Sequence, residues 1–375
     1  MELIKPGTYI DFMRHRIPVV GASLVLVTLS LVSLFYPGPN YGIDFAGGTE
    51  LQLAFRGDVG SGELRQALEA IGYRADVVSV EGAENEYMVR VREVSAIDED
   101  RAAAIEESFR AALPEGVAVR RWRISPGGDK VSVELSGAVD EGFIRSTLEA
   151  SGLEVRDTSA LIPGETYPYE AHLVGIADEI VRRLGESLGE RGPESPRRVE
   201  WVGPKAGAQL RNAAVTSLLY AIAFIMVYVA FRFDLRFAPG GILAMFHDVV
   251  ITLGIYVLVQ KEVNLTTVAA LLTILGYSIN DTIVVYDRIR ENMSRLRDRT
   301  LRDLINVSTS QMLSRTIVTS GTTLLSVAAF FVWGTPVIQD IAFALFCGIL
   351  IGTYSSIYIA APVTEWMDRR FFSRA

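Results

Sequence analysis

An aspartate, Asp281, interrupts a stretch of the chain that is otherwise apolar enough to lie in a lipid bilayer. The surrounding residues, 276–290, read GYSINDTIVVYDRIR. A charged side chain at the centre of a membrane helix costs at least about 2.5–3.5 kcal/mol, so such a residue is by default a functional-site hypothesis. The chain also supplies a candidate partner, because Arg315 lies directly before the next apolar stretch. The pair could move protons or simply hold two helices together.

Asp281 and Arg315 are expected at a similar depth in the membrane. Asp281 lies 16 residues after Leu265, which is roughly 24 Å along a helix, and Arg315 opens a stretch that runs back in the opposite direction. Pairing lowers the cost of burying both charges, and a proton arriving at Asp281 would weaken the pair and let the two helices rearrange. The alternative is a static ion pair, with the arginine reaching towards water at the interface.

Polar side chains near this pair extend the candidate site. They include Tyr277, Ser278, Asn280, Thr316 and Ser320. Helical spacing places Ser278 and Asp281 on one face of their helix. These neighbours favour a proton path, while hydrogen bonds between packed helices are the alternative role.

A second polar pair, His247 and Asp248, lies nine and ten residues after Ala238 in another apolar stretch. Histidine titrates in the physiological range and could extend a relay. Adjacent residues point in different directions on a helix, so the two side chains are not expected to line one narrow path. Hydrogen bonding between helices is the alternative, and no metal site is expected here.

These residues are set in a pattern of six apolar stretches, each close to the roughly 20 residues that span a bilayer. The stretches are 17–35, 212–231, 238–258, 265–286, 317–333 and 341–363. The first follows a basic segment, as a signal peptide does, but its apolar core is too long and no small-x-small cleavage site follows it. The sequence therefore predicts a retained membrane anchor.

The distribution of basic residues orients the six stretches. Six arginines lie within residues 288–302, between the fourth and fifth stretches. The loops on the opposite side, 260–264 and 334–340, carry a single basic residue, Lys261. Basic loops stay in the cytoplasm. Both termini, 1–16 and 367–375, are therefore predicted to be cytoplasmic, with the long segment after the first helix on the opposite, outer side of the membrane.

The long segment, residues 37–211, is acidic. It holds 31 of the 44 acidic residues and 20 of the 36 basic ones, and so accounts for the net charge of −8. This balance argues against nucleic acid as a partner, and a solvated domain surface is the ordinary explanation for it. The single cysteine, Cys347, lies in the sixth apolar stretch, so no disulfide is expected in the external domain.

Alternating strand and helix patterns run twice through the external segment. Strands are predicted at 50–55, 76–80, 86–91 and 117–124 with helices at 61–71 and 99–113, and the same order recurs up to 198–202. Residues 68–72, LEAIG, match residues 148–152, LEASG, at an offset of 80. We predict two tandem ferredoxin-like modules, 37–126 and 127–206. Chance similarity between helices of like composition is the alternative.

The external segment carries no pattern typical of catalysis. The sequence contains no Ser/His/Asp set, no Cys/His ligand spacing and no glycine-rich phosphate loop. Gly47-Gly48 resembles a tight turn before a strand. The fold class is therefore an α-helical polytopic membrane protein, with transmembrane helices at 17–36 and within 207–366 and an α+β extracytoplasmic domain between the first two helices.

Several segments together resemble the SecF family of bacterial protein-export membrane subunits, in the resistance–nodulation–division superfamily. The resemblance is carried by residues 41–49, YGIDFAGGT, which include Gly42, Asp44, Gly47, Gly48 and Thr49. It extends to the segments 202–205 (VGPK), 247–248 (HD), 264–273 (NLTTVAALLT), 276–291 and 314–316 (SRT). It covers the first apolar stretch and all of residues 202–366.

The resemblance implies an auxiliary subunit of the Sec translocase, not an enzyme, that works with SecD beside the SecYEG channel. Such proteins are expected to use the proton gradient, with no cofactor, to pull an unfolded polypeptide across the membrane. Asp281 would be the proton acceptor and Arg315 its modulating partner, while His247 and Asp248 match a further family pair. The external segment departs from the family pattern, because it is long enough for two modules where one is usual.

Two other functions are compatible with the sequence. A proton-driven exporter of small molecules or lipids from the same superfamily would need a substrate cavity. A passive scaffold that binds peptide in the membrane would need no proton coupling. Asp281→Asn separates these hypotheses, because a scaffold would tolerate this substitution and a pump would not.

Overall fold

Long apolar helices dominate the computed structural model of the protein. The structure describes residues 5, 8–80, 83–93, 97, 99–125, 127–162, 164 and 166–372. The helices are α1 (Arg16–Ser33), α2 (Ile43–Ala46), α3 (Ser61–Ala70), α4 (Glu99–Ala112), α5 (Glu141–Ala150), α6 (Ile176–Leu188), α7 (Pro204–Arg232), α8 (Ala238–Leu258), α9 (Leu265–Arg295), α10 (Leu301–Trp333), α11 (Pro336–Ser355) and α12 (Ala361–Met367).

Short strands and irregular turns complete the chain. The strands are β1 (Asn40–Tyr41), β2 (Gly48–Ala54), β3 (Ala75–Ser79), β4 (Glu86–Val91), β5 (Val119–Ile124), β6 (Lys130–Leu135), β7 (Val155–Ala160), β8 (Tyr167–Leu173), β9 (Arg198–Val202) and β10 (Glu262–Val263). A 3₁₀ helix, Phe12–His15, precedes α1, and π-helical turns at Ser356–Ala360 and Asp368–Phe372 flank α12.

The chain forms two compact units. The helical unit comprises Met1–Gly42 and Arg211–Ala375, and the α/β unit comprises Ile43–Leu210. The predicted terminal segments and module boundaries fall in part on residues 1–4, 6, 7, 126 and 373–375, which lie outside the described residues.

The six predicted membrane stretches are confirmed in the helical unit. Six helices of the described chain are long and apolar enough to cross a membrane. Several extend beyond their apolar stretches, because their polar ends still pack against neighbouring helices. As a result, Arg315 lies in the interior of α10, which begins at Leu301, and does not open this helix as predicted.

Small residues let the helices of this unit approach closely. A side chain at Gly254 of α8 would collide with Ser30 of α1, and one at Gly348 of α11 would collide with Ile274 of α9. In a bilayer, where lipid is as apolar as leucine, such close packing is a main source of helix association. Helices α8 and α9 lie in the interior, whereas α7 and α10 are largely exposed.

The α/β unit contains two four-stranded sheets. The first sheet has the order β3-β4-β2-β9 and shares its core with α3 and α6. The second has the order β5-β6-β8-β7 and shares its core with α4 and α5. The predicted strands and helices are therefore confirmed. The structure also agrees with the internal sequence repeat, because α3 and α5 are each followed by a glycine with positive φ, Gly72 and Gly152.

The two modules are interleaved, so the predicted tandem division near residue 126 is wrong. Helix α4 and strand β5 pack on the second sheet, with Phe109 and Trp122 in ring contact at 5.0 Å. Helix α6 and strand β9 return to the first sheet, where β9 pairs with β2. Each sheet therefore takes its last helix and strand from the other half of the repeat.

Chain connectivity gives a physical reason for this exchange. In the β2–β9 pairing, Gly48 lies opposite Val202. These residues are close to the points where the chain enters and leaves the α/β unit, so the first sheet brings the two connections side by side. A tandem arrangement would place the entry on one module and the exit on the other.

The exchange predicts a specific disulfide. Gln52 and Arg198 are cross-strand partners, and Cα atoms of such partners lie about 4.5–5.5 Å apart, within the range that a disulfide bridges. In a background with Cys347→Ser, we expect Gln52→Cys with Arg198→Cys to oxidise to a bridge that mass spectrometry of peptides detects. Ser132→Cys with Arg198→Cys is the control and should stay reduced. A bridge in this control pair, with none between positions 52 and 198, would support the tandem arrangement instead.

Candidate functional site

Asp281 lies inside the helical bundle, on α9. This helix begins at a capping box, in which the Asn264 side chain accepts a hydrogen bond from the Thr267 backbone at 3.0 Å. No proline interrupts the helix, so it carries Asp281 into the interior, where the residue is 6% exposed. Ser320 of α10 donates a hydrogen bond to Asp281 Oδ2 at 3.4 Å.

Hydroxyl groups from three helices form a network that reaches this carboxylate through Ser320. Thr353 Oγ1 of α11 lies 3.0 Å from Ser320 Oγ, and Tyr277 OH of α9 lies 3.5 Å from the same oxygen. We call these four residues, Tyr277, Asp281, Ser320 and Thr353, the Asp281 cluster. The cluster joins α9, α10 and α11 through a carboxylate and hydroxyl groups that can each donate and accept a hydrogen bond.

Asp281 and Arg315 form no ion pair within 4.0 Å, although both belong to the described residues. Arg315 is exposed on α10 but close enough for its charge to act on the Asp281 carboxylate. Asn280 is also exposed. Thr316 is buried, one turn before Ser320. Of the polar residues predicted around Asp281, only Ser320 forms a direct hydrogen bond with it in the described part of the chain.

A second cluster surrounds Asp248 of α8, which is fully buried. Asp248 Oδ2 accepts hydrogen bonds from Ser278 of α9 at 2.5 Å and from Ser355 of α11 at 2.8 Å. Asp248 Oδ1 lies 2.8 Å from His247 Nδ1. We call Asp248 and these three partners the Asp248 cluster.

The Asp248 cluster continues as a chain of polar groups towards α1. His247 Nε2 lies 3.1 Å from Tyr354 OH, and Ser23 Oγ of α1 lies 3.3 Å from that hydroxyl. His247 and Asp248 do face different helices, but the prediction that they cannot share one path is wrong, because the imidazole bends back to bond the carboxylate.

The prediction that Ser278 and Asp281 lie on one face of their helix also needs correction, because the two side chains contact different helices. Both are buried, yet Ser278 bonds Asp248 of α8 whereas Asp281 is bonded from α10. A residue step of three turns the side chain by about 300°, which is enough to reach a different neighbouring helix. The two carboxylates thus have separate partners, and Asp248 is bonded from α9 at Ser278, one helical turn before Asp281.

Sequence reasoning missed the contribution of α11. Thr353, Tyr354 and Ser355 supply one group to the Asp281 cluster and two to the polar chain around Asp248. The signal was present, because residues 353–356, TYSS, interrupt an otherwise apolar stretch. Both clusters can hold a proton on a carboxylate and pass it between hydroxyl groups, provided that water or side-chain motion closes the gaps.

The glycine motif after the first helix is structural, as predicted for a tight turn. Gly47 and Gly48 both have positive φ, +78° and +135°. A Cβ on Gly47 would lie 2.9 Å from the Pro204 backbone, and one on Gly48 would lie 2.5 Å from the Val91 carbonyl oxygen. Thr49 is fully buried and donates to the Glu93 carbonyl at 2.8 Å.

The remaining motif residues also lie at chain junctions. Gly42 donates its backbone N–H to the Val263 carbonyl oxygen at 3.0 Å, next to the β1–β10 pair. Asp44 lies in the short helix α2, which leads into the turn. The motif therefore fixes close backbone crossings.

Gly48→Ala is expected to destabilise the protein. Alanine at this φ, with its Cβ against a carbonyl oxygen, should cost roughly 1–3 kcal/mol of unfolding free energy. Urea unfolding of the detergent-solubilised chain, followed by tryptophan fluorescence, measures the change. The matched control is Gly62→Ala on α3, where a Cβ meets nothing within 4 Å; it should be neutral or slightly stabilising. Equal effects would show that the turn has no special backbone requirement.

Comparisons with known proteins agree with these features. Residues 186–370 match the family described as protein export membrane protein SecD/SecF, C-terminal, and residues 32–59 match the SecD/SecF GG motif. The protein translocase subunit SecF of Magnetococcus marinus is 38% identical over 368 residues, which is 98% of this chain and 95% of that one. SecF of Pseudomonas aeruginosa is 34% identical, with 97% and 93% covered.

Solved structures show the same fold. The crystal structure of SecDF, a translocon-associated membrane protein from Thermus thermophilus, matches with a TM-score of 0.64 and 32% identity over 97% of this chain. SecDF in a super-membrane-facing form matches with a TM-score of 0.58 and 33% identity over 99% of this chain. The chain spans 39% and 40% of the length of those two proteins.

Proposed function

Because the chain belongs to the SecD/SecF family of protein-export membrane proteins, among the SecF translocase subunits, we propose that it uses the proton-motive force to drive late steps of polypeptide export. In this proposal Asp281 takes up and releases the proton, and Arg315 modulates it. The chain acts with SecD beside the SecYEG channel, on an unfolded polypeptide, without a catalytic site or bound cofactor.

The observation that carries the proposal is that the Asp281 carboxylate is buried and accepts a hydrogen bond from the Ser320 hydroxyl, with no cation of the described residues within ion-pair distance. When Asp281 is ionised, its charge attracts Arg315 across α9 and α10. When it is protonated, this attraction is lost and a neutral hydrogen bond to Ser320 remains. A proton at Asp281 therefore changes the force between two helices, which is what a coupling residue must do.

An exposed polar face on α9 and α10 supports a partner subunit in the membrane. Asn280 and Arg315 are both exposed. If lipid covered this face, an arginine there would carry an insertion penalty of at least about 2.5–3.5 kcal/mol. A second helical subunit with polar groups would remove that penalty, and SecD is the partner that the family suggests.

The proton gradient supplies energy on the required scale. One elementary charge that crosses the membrane releases about 2.3 kcal/mol per 100 mV. A few protons per cycle could therefore move a domain that grips a polypeptide. In this arrangement both termini and the arginines of 288–302 are cytoplasmic, and the α/β unit is on the periplasmic side of the inner membrane.

The other two functions make different predictions. The relatives are named as translocase subunits, so export of small molecules or lipids is not favoured. A passive scaffold remains the competing hypothesis, because polypeptide binding by the α/β unit needs no gradient.

Export assays on proteoliposomes with SecYEG, SecD and this chain test the proposal. Translocation of a secreted precursor is begun with SecA and ATP, ATP is then removed, and a proton gradient is applied. We expect the gradient to complete export of the intermediate only when the chain and SecD are both present. Completion that is the same with and without the gradient would support the passive scaffold and contradict the proposal.

A further inference from the structure

The chain enters the α/β unit through a short strand that is paired inside the helical unit. Strand β1 runs parallel to β10, so that Asn40 lies opposite Glu262 and Tyr41 lies opposite Val263. The Gly42 backbone N–H then donates to the Val263 carbonyl oxygen at 3.0 Å. We call β1, β10 and Gly42 the strap. It lies within the helical unit, whose first segment ends at Gly42.

Further contacts next to the paired residues reinforce the strap. Asn40 Nδ2 donates to the Gln260 carbonyl oxygen at 3.3 Å, and Gln260 Nε2 donates to the Gly38 carbonyl oxygen at 3.2 Å. The two segments also pass so close to each other that a Cβ on Gly42 would collide with the Glu262 side chain. A glycine at this position therefore permits the close approach of the two segments.

Strand β10 continues without a break into α9, the helix that carries Asp281. Asn264 directly follows Val263 and is the N-cap of α9. Thr267, in the first turn of this helix, donates its hydroxyl to the Glu262 carbonyl oxygen at 3.1 Å. Because successive turns of a helix are joined by backbone hydrogen bonds, a shift of α9 along its axis would displace β10 with it.

The other end of the strap also continues directly into regular structure. Helix α2 begins at Ile43, immediately after Gly42, and only Gly47 separates this helix from β2 of the first sheet. The Gly47 backbone N–H donates to the Ile43 carbonyl oxygen at 2.9 Å. A displacement of β1 would therefore act on a strand of the sheet and would not be absorbed by a flexible linker.

The loop that contains β10 is also tied to α11, which supplies Thr353 to the Asp281 cluster. Lys261, one residue before β10, forms an ion pair with Asp340 of α11 at 2.5 Å. Tyr256 OH donates to the Asp340 carbonyl oxygen at 3.4 Å. Of the described residues that form the two clusters, none lies on α7, the second connection to the α/β unit. The strap is thus the connection with the more direct link to the proton site.

We propose that the strap couples movement of α9 to the α/β unit. The proposal rests on the proposed function, in which a proton at Asp281 changes the force between α9 and α10. As α9 shifts, β10 carries β1 with it, and Gly42 and α2 pass the displacement to the first sheet. The α/β unit then moves each time Asp281 gains or loses its proton.

Slack introduced next to the strap tests this coupling. Insertion of Gly-Ser-Gly-Ser between Gly42 and Ile43 leaves the strap and the proton site in place. Four extended residues span at most about 13 Å, which exceeds a shift of one helical turn, about 5.4 Å. In proteoliposomes with SecYEG and SecD, we expect the gradient-dependent part of export to fall to the level measured without a gradient. Proton flow that depends on Asp281 should persist.

The matched control carries the same four residues between Glu115 and Gly116. Both residues are exposed in a turn of the α/β unit, and the turn is not part of the strap. This variant should therefore keep the wild-type response to the gradient. Circular dichroism checks that both insertion variants retain their secondary structure.

A disulfide across the strap gives a second, independent test. In a background with Cys347→Ser, Asn40→Cys with Glu262→Cys places two thiols on strands about 4.8 Å apart, within the range that a disulfide bridges. A strap that transmits movement stays paired throughout the cycle, so the oxidised protein should show the same gradient response as its reduced form. This comparison needs no insertion, so it tests the strap even where the extra residues disturb folding.

Two outcomes would overturn the strap alone. A strap insertion that responds to the gradient as the control insertion does would show that movement reaches the α/β unit through another connection. An oxidised cysteine pair that loses the response of its reduced form would show that the strap must open during the cycle. Absence of a gradient response in the wild-type protein is a separate result, because it would contradict the proposed function and the strap with it.

Discussion

Asp281→Asn is expected to remove the stimulation of export by a proton gradient and to leave the protein folded. Asparagine has the size of aspartate and keeps an oxygen that can accept the hydrogen bond from Ser320, but it cannot take up a proton. The gradient-dependent part of export should fall at least ten-fold, to the level measured without the chain. The ATP-driven part of export, which does not pass through this carboxylate, should be unchanged.

A carboxylate on the same helix provides the control for this experiment. The Asp287 side chain is 43% exposed and pairs with Arg232, the last residue of α7. Asp287→Asn makes the same chemical change outside the buried cluster and should retain the response to the gradient. If Asp281→Asn responds to the gradient as the wild type does, Asp281 is a structural residue and the scaffold hypothesis replaces the coupling hypothesis.

Asp248→Ala is expected to lower the free energy of unfolding by roughly 3–5 kcal/mol, because it removes the acceptor from a fully buried polar network. The buried Ser278 and Ser355 hydroxyls and the buried His247 ring would lose their common partner. Asp248→Asn keeps one acceptor oxygen and should recover part of this loss. Thermal unfolding of the detergent-solubilised protein compares both variants with the wild type.

The control for this loss is a carboxylate whose partner is accessible to water. Asp340 pairs with Lys261 at 2.5 Å, and both side chains are 29% exposed. Asp340→Ala should therefore cost less than about 1 kcal/mol. If Asp248→Ala costs no more than Asp340→Ala, the Asp248 network does not hold α8, α9 and α11 together.

Local patterns in the sequence predicted the elements well. In the α/β unit, apolar and polar residues alternate along the strands, and apolar residues recur every three to four positions along the helices. Each membrane helix carries a long apolar stretch. All of these are short-range signals. The position of Asp281 inside the bundle follows from the same reasoning, because an acidic residue in an apolar helix must face protein and not lipid.

Long-range partners could not be predicted in this way. Strands β5 and β9 are similar to each other, so the sequence pattern alone does not indicate that β9 returns to β2, about 150 residues earlier. The same limit applies to Arg315, whose distance from Asp281 depends on how α9 and α10 cross. It applies also to Ser355, since which helix faces Asp248 is a property of the packed bundle.

The most direct test of the central claim is the proton flux that accompanies export. Proteoliposomes with SecYEG, SecD and this chain are loaded with a pH-sensitive dye. A secreted precursor is arrested part of the way through the channel, and a fixed proton gradient is then maintained across the membrane. We predict that proton flow with wild-type protein rises while the intermediate moves, and that Asp281→Asn removes this increase whereas Asp287→Asn keeps it. Proton flow that is the same for wild type and Asp281→Asn during export would contradict the account.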